Sequence, residues 1–130
     1  MPEFDNIKDS GERQEFSTGS KRDTRKGKGR FDLITPWGLR RLALHYEGGA
    51  DKYGDYNWEL GQPIMRYLDS AERHINDLKI ALRTGEITED HAAAVCWNML
   101  SYIHMEEGLA NGYYGKDLDD RPKPYKVKDQ

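Results

Sequence analysis

Two histidines and the polar residues spaced around them are where this chain could do chemistry. In the segment 63–83, Ser70, His74 and Asp77 follow one another at four and three residues, a spacing that gathers them on one edge of a helix turning about 100° per residue. In the segment 88–109, His91, Asn98 and Tyr102 form a similar ridge, with Asp90 and His104 on a neighbouring face. An imidazole can ligate a divalent cation, orient a water or take its proton near neutral pH, and a carboxylate can complete a cation's shell. Packed antiparallel across the short Thr84–Ile87 connection, two such helices would bring His74 and Asp77 close to His91. The same four residues, His74, Asp77, His91 and Asn98, could instead satisfy one another as a buried polar network, because buried polar groups need partners. Spacing leaves both readings open.

A second chemistry is electrostatic. Residues 21–30 carry six basic side chains against one acid, Asp23. Gly27-Lys28-Gly29-Arg30 lacks the eight-residue Gly-to-Gly-Lys-Ser/Thr spacing of a P-loop. Arg22, Lys28 and Arg30 could still clamp phosphates, Lys as a point charge and Arg as a bidentate donor, or the run could be a solvated arm. Lys52, Tyr53, Asn57 and Trp58 offer stacking and hydrogen bonding to a base, although Trp58 could equally anchor its loop in the core. No Ser-His-Asp or Cys-His arrangement has support.

The elements that must carry these groups are helical. Thr35-Pro36 reads as an N-cap followed by proline at the first helical position. Leu39, Leu42, Ala43 and Tyr46 continue that helix, and Gly48-Gly49 is expected to end or bend it. Lys52–Trp58 then reads as a long structured aromatic loop. The second helix is expected from about Pro63 to Arg83, stopped by Gly85, with Ile64, Leu68, Ala71, Ile75, Leu78 and Leu82 as its buried stripe. A third, expected to start at an N-cap on Thr88 and end near Leu109 before Asn111-Gly112, is apolar on most sides and should be central. The fold class is therefore all-α: a small domain of three main helices with an extended basic N-terminal arm. The expected organisation is a flexible arm over 1–20, the helical domain over 21–112 and a loose tail over 113–130, where Pro122 and Pro124 fall among charges.

Composition narrows the function classes. The 130 residues suit one domain, and a net charge of −3 argues against a surface that coats nucleic acid or an anionic membrane throughout. The lone Cys96, in the run Ala92–Trp97, is expected to be a buried thiol in a reducing compartment. With no signal pattern at Met1–Asp5 and no run of about 18 apolar residues, the expectation is a cytoplasmic protein without membrane contact. Three helices make a modest core and aromatic residues are abundant, so a homo-oligomer is expected.

The run Phe16–Asp23, then Gly27–Leu33, then Lys52-Tyr53-Gly54 with Asn57-Trp58, resembles a phage and prophage family, the dATP/dGTP diphosphohydrolase N-terminal domain. Asp69-Ser70 with Arg73-His74, Glu89-Asp90-His91 and Trp97-Asn98 extend that resemblance over about residues 16–107. It implies hydrolysis of a purine deoxynucleoside triphosphate to monophosphate and pyrophosphate in the host cytoplasm, as in the all-α nucleoside triphosphate pyrophosphohydrolases. There, carboxylate pairs on two helices hold magnesium. Here the acid pairs Asp69/Glu72 and Glu86/Glu89 do not project from the inferred inner faces. The resulting expectation places Mg²⁺, or Mn²⁺, on Asp77 and Asp90. His74 or His91 would activate water, and Arg73 would meet charge on the leaving group. Arg22, Lys28, Arg30, Lys52, Tyr53, Asn57 and Asn98 would bind the substrate. The alternative is a non-catalytic module binding nucleotide, a replication partner or, through residues 21–30, single-stranded nucleic acid.

Overall fold

Opposite charges meet in the first ordered element. In the computed structural model, which describes residues 9–128, strand β1 (Arg13–Glu15) pairs antiparallel with β2 (Lys21–Asp23). The register sets Arg13 opposite Asp23 and Glu15 opposite Lys21, pairs that favour each other across a ladder. Phe16 and Ser20 close the turn, with Gly19 at φ +85°, a conformation that suits glycine. Residues 13–20, expected as part of a flexible arm, thus form half of a hairpin, and a boundary at residue 20 would cut it. Hydropathy gave no sign of it, because every residue of β1 is exposed. The expected arm over residues 1–8 lies outside the described residues. The chain divides into two compact units, one ending at Ile34 and the other running from Thr35.

The second unit is helical. Helix α1 spans Pro36–Tyr53, and the Thr35 side chain accepts from the Gly38 N–H as its cap. It continues through Gly48-Gly49, so the pair expected to end or bend it does not end it, and it stops instead at Gly54, whose φ is +93°. Two interior glycines cost about 1 kcal/mol each. Packing of His45 and Tyr46 against Trp97, just before the pair, opposes that local cost. Lys52 and Tyr53 are therefore helical, and the connecting loop is shorter than expected.

Helix α2 (Met65–Thr84) ends at Gly85, in the left-handed conformation as expected. Helix α3 (His91–Ala110) starts at Asp90, which displaces Thr88 as the cap because its carboxylate accepts from the Ala93 N–H. The two helices pack along matching seams. On the α2 side the inward residues are Ile64, Tyr67, Ala71, His74, Leu78 and Ala81; on α3 they are His91, Ala94, Asn98, Ser101, Met105 and Gly108. Both sets step by three and four, the spacing of a helix–helix seam, and small residues in each allow close approach. The α2 seam is rotated from the expected stripe, leaving Ile75 and Leu82 exposed and bringing His74 inward. Apolarity alone misplaced it.

Helix α3 is central, touching both α1 and α2. The α3 face carrying Cys96, Leu100 and Ile103 is left open, so Cys96 is exposed and not the expected buried thiol.

The tail is not loose. Ile64 has no side chain able to cap α2; instead the Asp120 carboxylate accepts from the Met65 N–H at 2.9 Å and the Leu118 carbonyl from the Ile64 N–H at 2.9 Å. A carboxylate at a helix N-terminus is favoured by both the free N–H groups and the helix dipole. Behind it Asp119, fully buried, accepts from the Arg121 guanidinium, which also reaches Glu106 of α3 at 3.0 Å. Leu118 and Val127 pack on the cluster of Ile64, Tyr67, Met105 and Leu109. Charge among prolines resembles a solvated tail in sequence because its partners lie on distant helices.

Candidate functional site

The rotated seam brings His74 of α2 against His91 of α3, Nδ1 to Nδ1 at 3.1 Å. Their side chains retain only 15% and 10% exposure. Glu89, in the link before α3, sets its carboxylate oxygens 4.0 Å from His74 Nδ1 and 3.9 Å from His91 Nδ1. One ligand atom from each of the three lies within 4.8 Å of the others, a grouping able to hold a cation. Glu89 was discounted by projecting it onto a helix. It precedes the helix, so its direction is set by the link and not by helical rotation.

The neighbouring Asp90 has a different task. Both of its oxygens accept from the Arg41 guanidinium of α1, at 2.5 and 2.8 Å, while one also caps α3. Those bonds, Arg41 foremost, hold its carboxyl down at about 2. A cation on Asp90 would have to displace Arg41. Asp77 is half-buried, one turn beyond His74, and outside the histidine–glutamate group.

His74 also borders a cavity of about 850 Å³. One wall is the face of α1 carrying His45, Tyr46, Gly49, Ala50 and Tyr53; another is the loop with Tyr56, Asn57 and Trp58. Arg66, Asp69, Ser70 and Arg73 line it from α2, and Trp97 and Asn98 from α3. Trp97 is ringed by His45, Tyr46 and Tyr67, with centroids 5.7, 6.2 and 6.0 Å away. Trp58 is anchored edge-on to His104 at 5.0 Å. Burial, and next the nearby His74, hold His45 below the ordinary imidazole value, against the opposing pull of Glu89 and Asp90. The shift favours the uncharged ring, whose free nitrogen can accept a proton. Arg73 reaches Ser70 Oγ at 3.2 Å and Asp69 at 3.6 Å.

The loop wall is held from outside the cavity. Tyr114, beyond α3, donates to the Glu59 carbonyl at 2.6 Å and meets His104 Nε2 at 2.8 Å. Its ring lies against Gly61 and Gly108, where a Cβ would come within 2.8 and 2.5 Å of it respectively. Glycine is required at both places for the ring to fit.

Of the expected site residues, Tyr53, Asn57, Arg73, His74 and Asn98 share the cavity, and His91 joins it through His74. Asn98 is buried and donates to the Ala94 carbonyl at 2.8 Å. Lys52 is not part of the lining; its ammonium lies 5.2 Å from the Tyr53 ring. Arg22, Lys28 and Arg30 belong to the hairpin unit. There Arg22 lies opposite Gln14, Lys28 pairs with Asp23 at 3.0 Å, and Arg30 makes a bidentate pair with Asp32 at 2.8 Å. His45, Arg66 and Glu89 were not among the expected site residues. His45 and Arg66 already fell within the expected helices, beside Tyr46 and one turn before Ser70, and helical projection from those neighbours points to the same wall.

The sequence matches the family described as dATP/dGTP diphosphohydrolase, N-terminal, over residues 18–120. No curated protein and no solved structure matches it. The family match spans most of the chain, and the chain belongs to that family.

Proposed function

We propose that this member of the dATP/dGTP diphosphohydrolase N-terminal family cleaves purine deoxynucleoside triphosphates between the α and β phosphates, with the substrate seated in the cavity. The observation that carries the proposal is a single concavity joining stacking aromatics, two arginines and a neutral imidazole. Tyr53, Tyr56 and Trp58 offer faces to a base. Arg66 and Arg73 can neutralise the phosphates and hold the leaving group bidentately. Mg²⁺ or Mn²⁺ would accompany the triphosphate and lower the cost of charge on its oxygens. Water adds to the α phosphorus, the bond to the bridging oxygen breaks, pyrophosphate leaves, and His45 takes the water's proton.

Lys28 and Arg30 already hold Asp23 and Asp32, so phosphate binding through residues 21–30 would compete with those pairs. That favours the cavity over the alternative of a nucleic-acid-binding arm. Self-association fits the same picture, since Leu39, Leu44, Ile80 and Leu100 are exposed on the helices. No helix among the described residues is long and apolar enough to cross a membrane, and a role in a phage-infected cell's nucleotide supply is compatible with this chemistry. The test is to incubate the purified chain with each of the four deoxynucleoside triphosphates and Mg²⁺ or Mn²⁺ and to resolve the products. Deoxyguanosine or deoxyadenosine monophosphate with pyrophosphate is expected; no monophosphate at stoichiometric protein would refute the proposal.

A further inference from the structure

We propose that His74, Glu89 and His91 form a binding site for one divalent transition cation, zinc foremost, held by two imidazoles and a carboxylate and chosen in preference to magnesium. The separations suit a single ion. With bonds of about 2.1 Å, ligand atoms lie about 3.0 Å apart at right angles and about 3.4 Å apart at tetrahedral angles. The two Nδ1 atoms, at 3.1 Å, already fall in that range. The Glu89 oxygens lie 4.0 and 3.9 Å from one imidazole each, and with the three ligand atoms within 4.8 Å of one another, a single oxygen must close by up to about 1.5 Å. Glu89 is free to do so, since its side chain is 55% exposed and lies in the link, not in a helix.

The donor set decides the metal. Magnesium takes oxygen ligands and keeps its waters, whereas imidazole suits zinc, copper, iron and nickel. The two imidazoles stand on helices locked along one seam, so little ordering remains to be done when an ion arrives. Three protein ligands leave further coordination positions, and His74 borders the cavity. A phosphate oxygen or a water could occupy them. Binding requires each Nδ1 to present its lone pair, so the ion replaces the hydrogen bond between the histidines and the ring that donated it carries its proton on Nε2 instead.

This site stands independently of the hydrolytic proposal and is tested without nucleotide. The full chain, stripped with chelator, is titrated with Zn²⁺ by calorimetry and with Co²⁺ by visible absorption, with ¹⁵N spectra of the histidines recorded alongside. The expected result is one ion per chain, Zn²⁺-dependent shifts at the Nδ1 nitrogens of His74 and His91, and no displacement of Co²⁺ by millimolar Mg²⁺. Glu89→Gln, a change in the exposed link, should weaken binding at least tenfold, and His91→Ala at least a hundredfold. Asp77→Asn should leave affinity unchanged. Equal competition by Mg²⁺, unshifted His74 and His91 nitrogens in the unaltered chain, or loss of binding in Asp77→Asn alone would overturn the proposal. Metal binding without turnover would count against the hydrolytic proposal only, and turnover in a chain that binds no Zn²⁺ against this one only.

Discussion

His74 and His91, on different helices, share a hydrogen bond between like nitrogens, Nδ1 to Nδ1 at 3.1 Å. One ring must donate and the other accept, so each is in a different tautomer in the metal-free protein. The contact lies in the α2–α3 seam, where structure and chemistry use the same atoms.

That dependence is measurable by urea unfolding of the metal-free chain. His74→Ala and His91→Ala should each lose about 1–3 kcal/mol, because each leaves a nearly buried imidazole without its partner. The double variant should lose less than the sum by about 1 kcal/mol. Strict additivity would show that the bond contributes nothing.

Asp90 divides its work between a cap and an ion pair, and substitutions separate them. Asp90→Ala removes both and should cost about 1–2 kcal/mol. Asp90→Asn keeps an oxygen for the Ala93 N–H and should cost under about 1 kcal/mol, since the Arg41 pair is more than a third exposed. Thermal melts of the two variants beside Arg41→Ala give the comparison; equal losses for Ala and Asn would assign the whole effect to Arg41.

Acid should unlock the tail. The Arg121 guanidinium, with the Val127 and Arg121 backbone N–H groups, lowers the Asp119 carboxyl from 3.8 to about 2, against the opposing effect of burial. Because the folded value lies below the unfolded one, the stabilisation is complete above pH 3.8 and disappears as pH falls through 2. Unfolding free energy measured from pH 5 to pH 2 should drop across that window, and Asp119→Asn should be weaker at pH 7 with a shallower drop. An Asp119→Asn profile parallel to that of the unaltered chain would exclude this source of acid sensitivity.

At Gly108, helix propensity and packing oppose each other. Alanine is favoured by about 1 kcal/mol in an exposed helix interior. Here its Cβ would sit 2.5 Å from the Tyr114 ring, and overpacking of that kind costs about 1–3 kcal/mol. Gly108→Ala should therefore destabilise and alter Trp58 fluorescence by shifting the loop that Tyr114 holds. Stabilisation with unchanged fluorescence would mean that the ring moves aside freely.

If the cavity takes a triphosphate, Arg73→Ala should raise KM for it about 10- to 100-fold, the loss of one or two charge-assisted hydrogen bonds. Affinity for the deoxynucleoside monophosphate should change much less. A uniform loss for both ligands would remove Arg73 from the β and γ phosphates.

How far these features could be read in advance depended on how local their causes were. Thr35-Pro36, Gly85 and Asn111-Gly112 act through their own backbone, so the helix limits they set were legible. Gly48-Gly49 misled because a glycine pair weakens a helix without stopping it, and the contacts of His45 and Tyr46 with Trp97 hold the turn before it. The meeting of His74 with His91 followed from helical spacing and the short link. Glu89, on that link, could not be reached by any helical projection. Asp120 and Tyr114 were invisible for a further reason: Met65 and Glu59, which they hold, lie 55 positions away, and a charged or aromatic residue in a proline-containing tail carries no mark of the element it will meet.

The hold of Tyr114 on the Glu59 carbonyl spans 55 residues of sequence. Such a bond forms only after a long loop has closed, so it belongs late in folding. During synthesis, α1, the loop and all of α2 are made before the residue that sets the loop's position is added. The loop wall of the cavity then takes its final shape after the α2–α3 seam, which is joined by six residues from Gly85 to Asp90 and can close early as the surface on which the rest assembles.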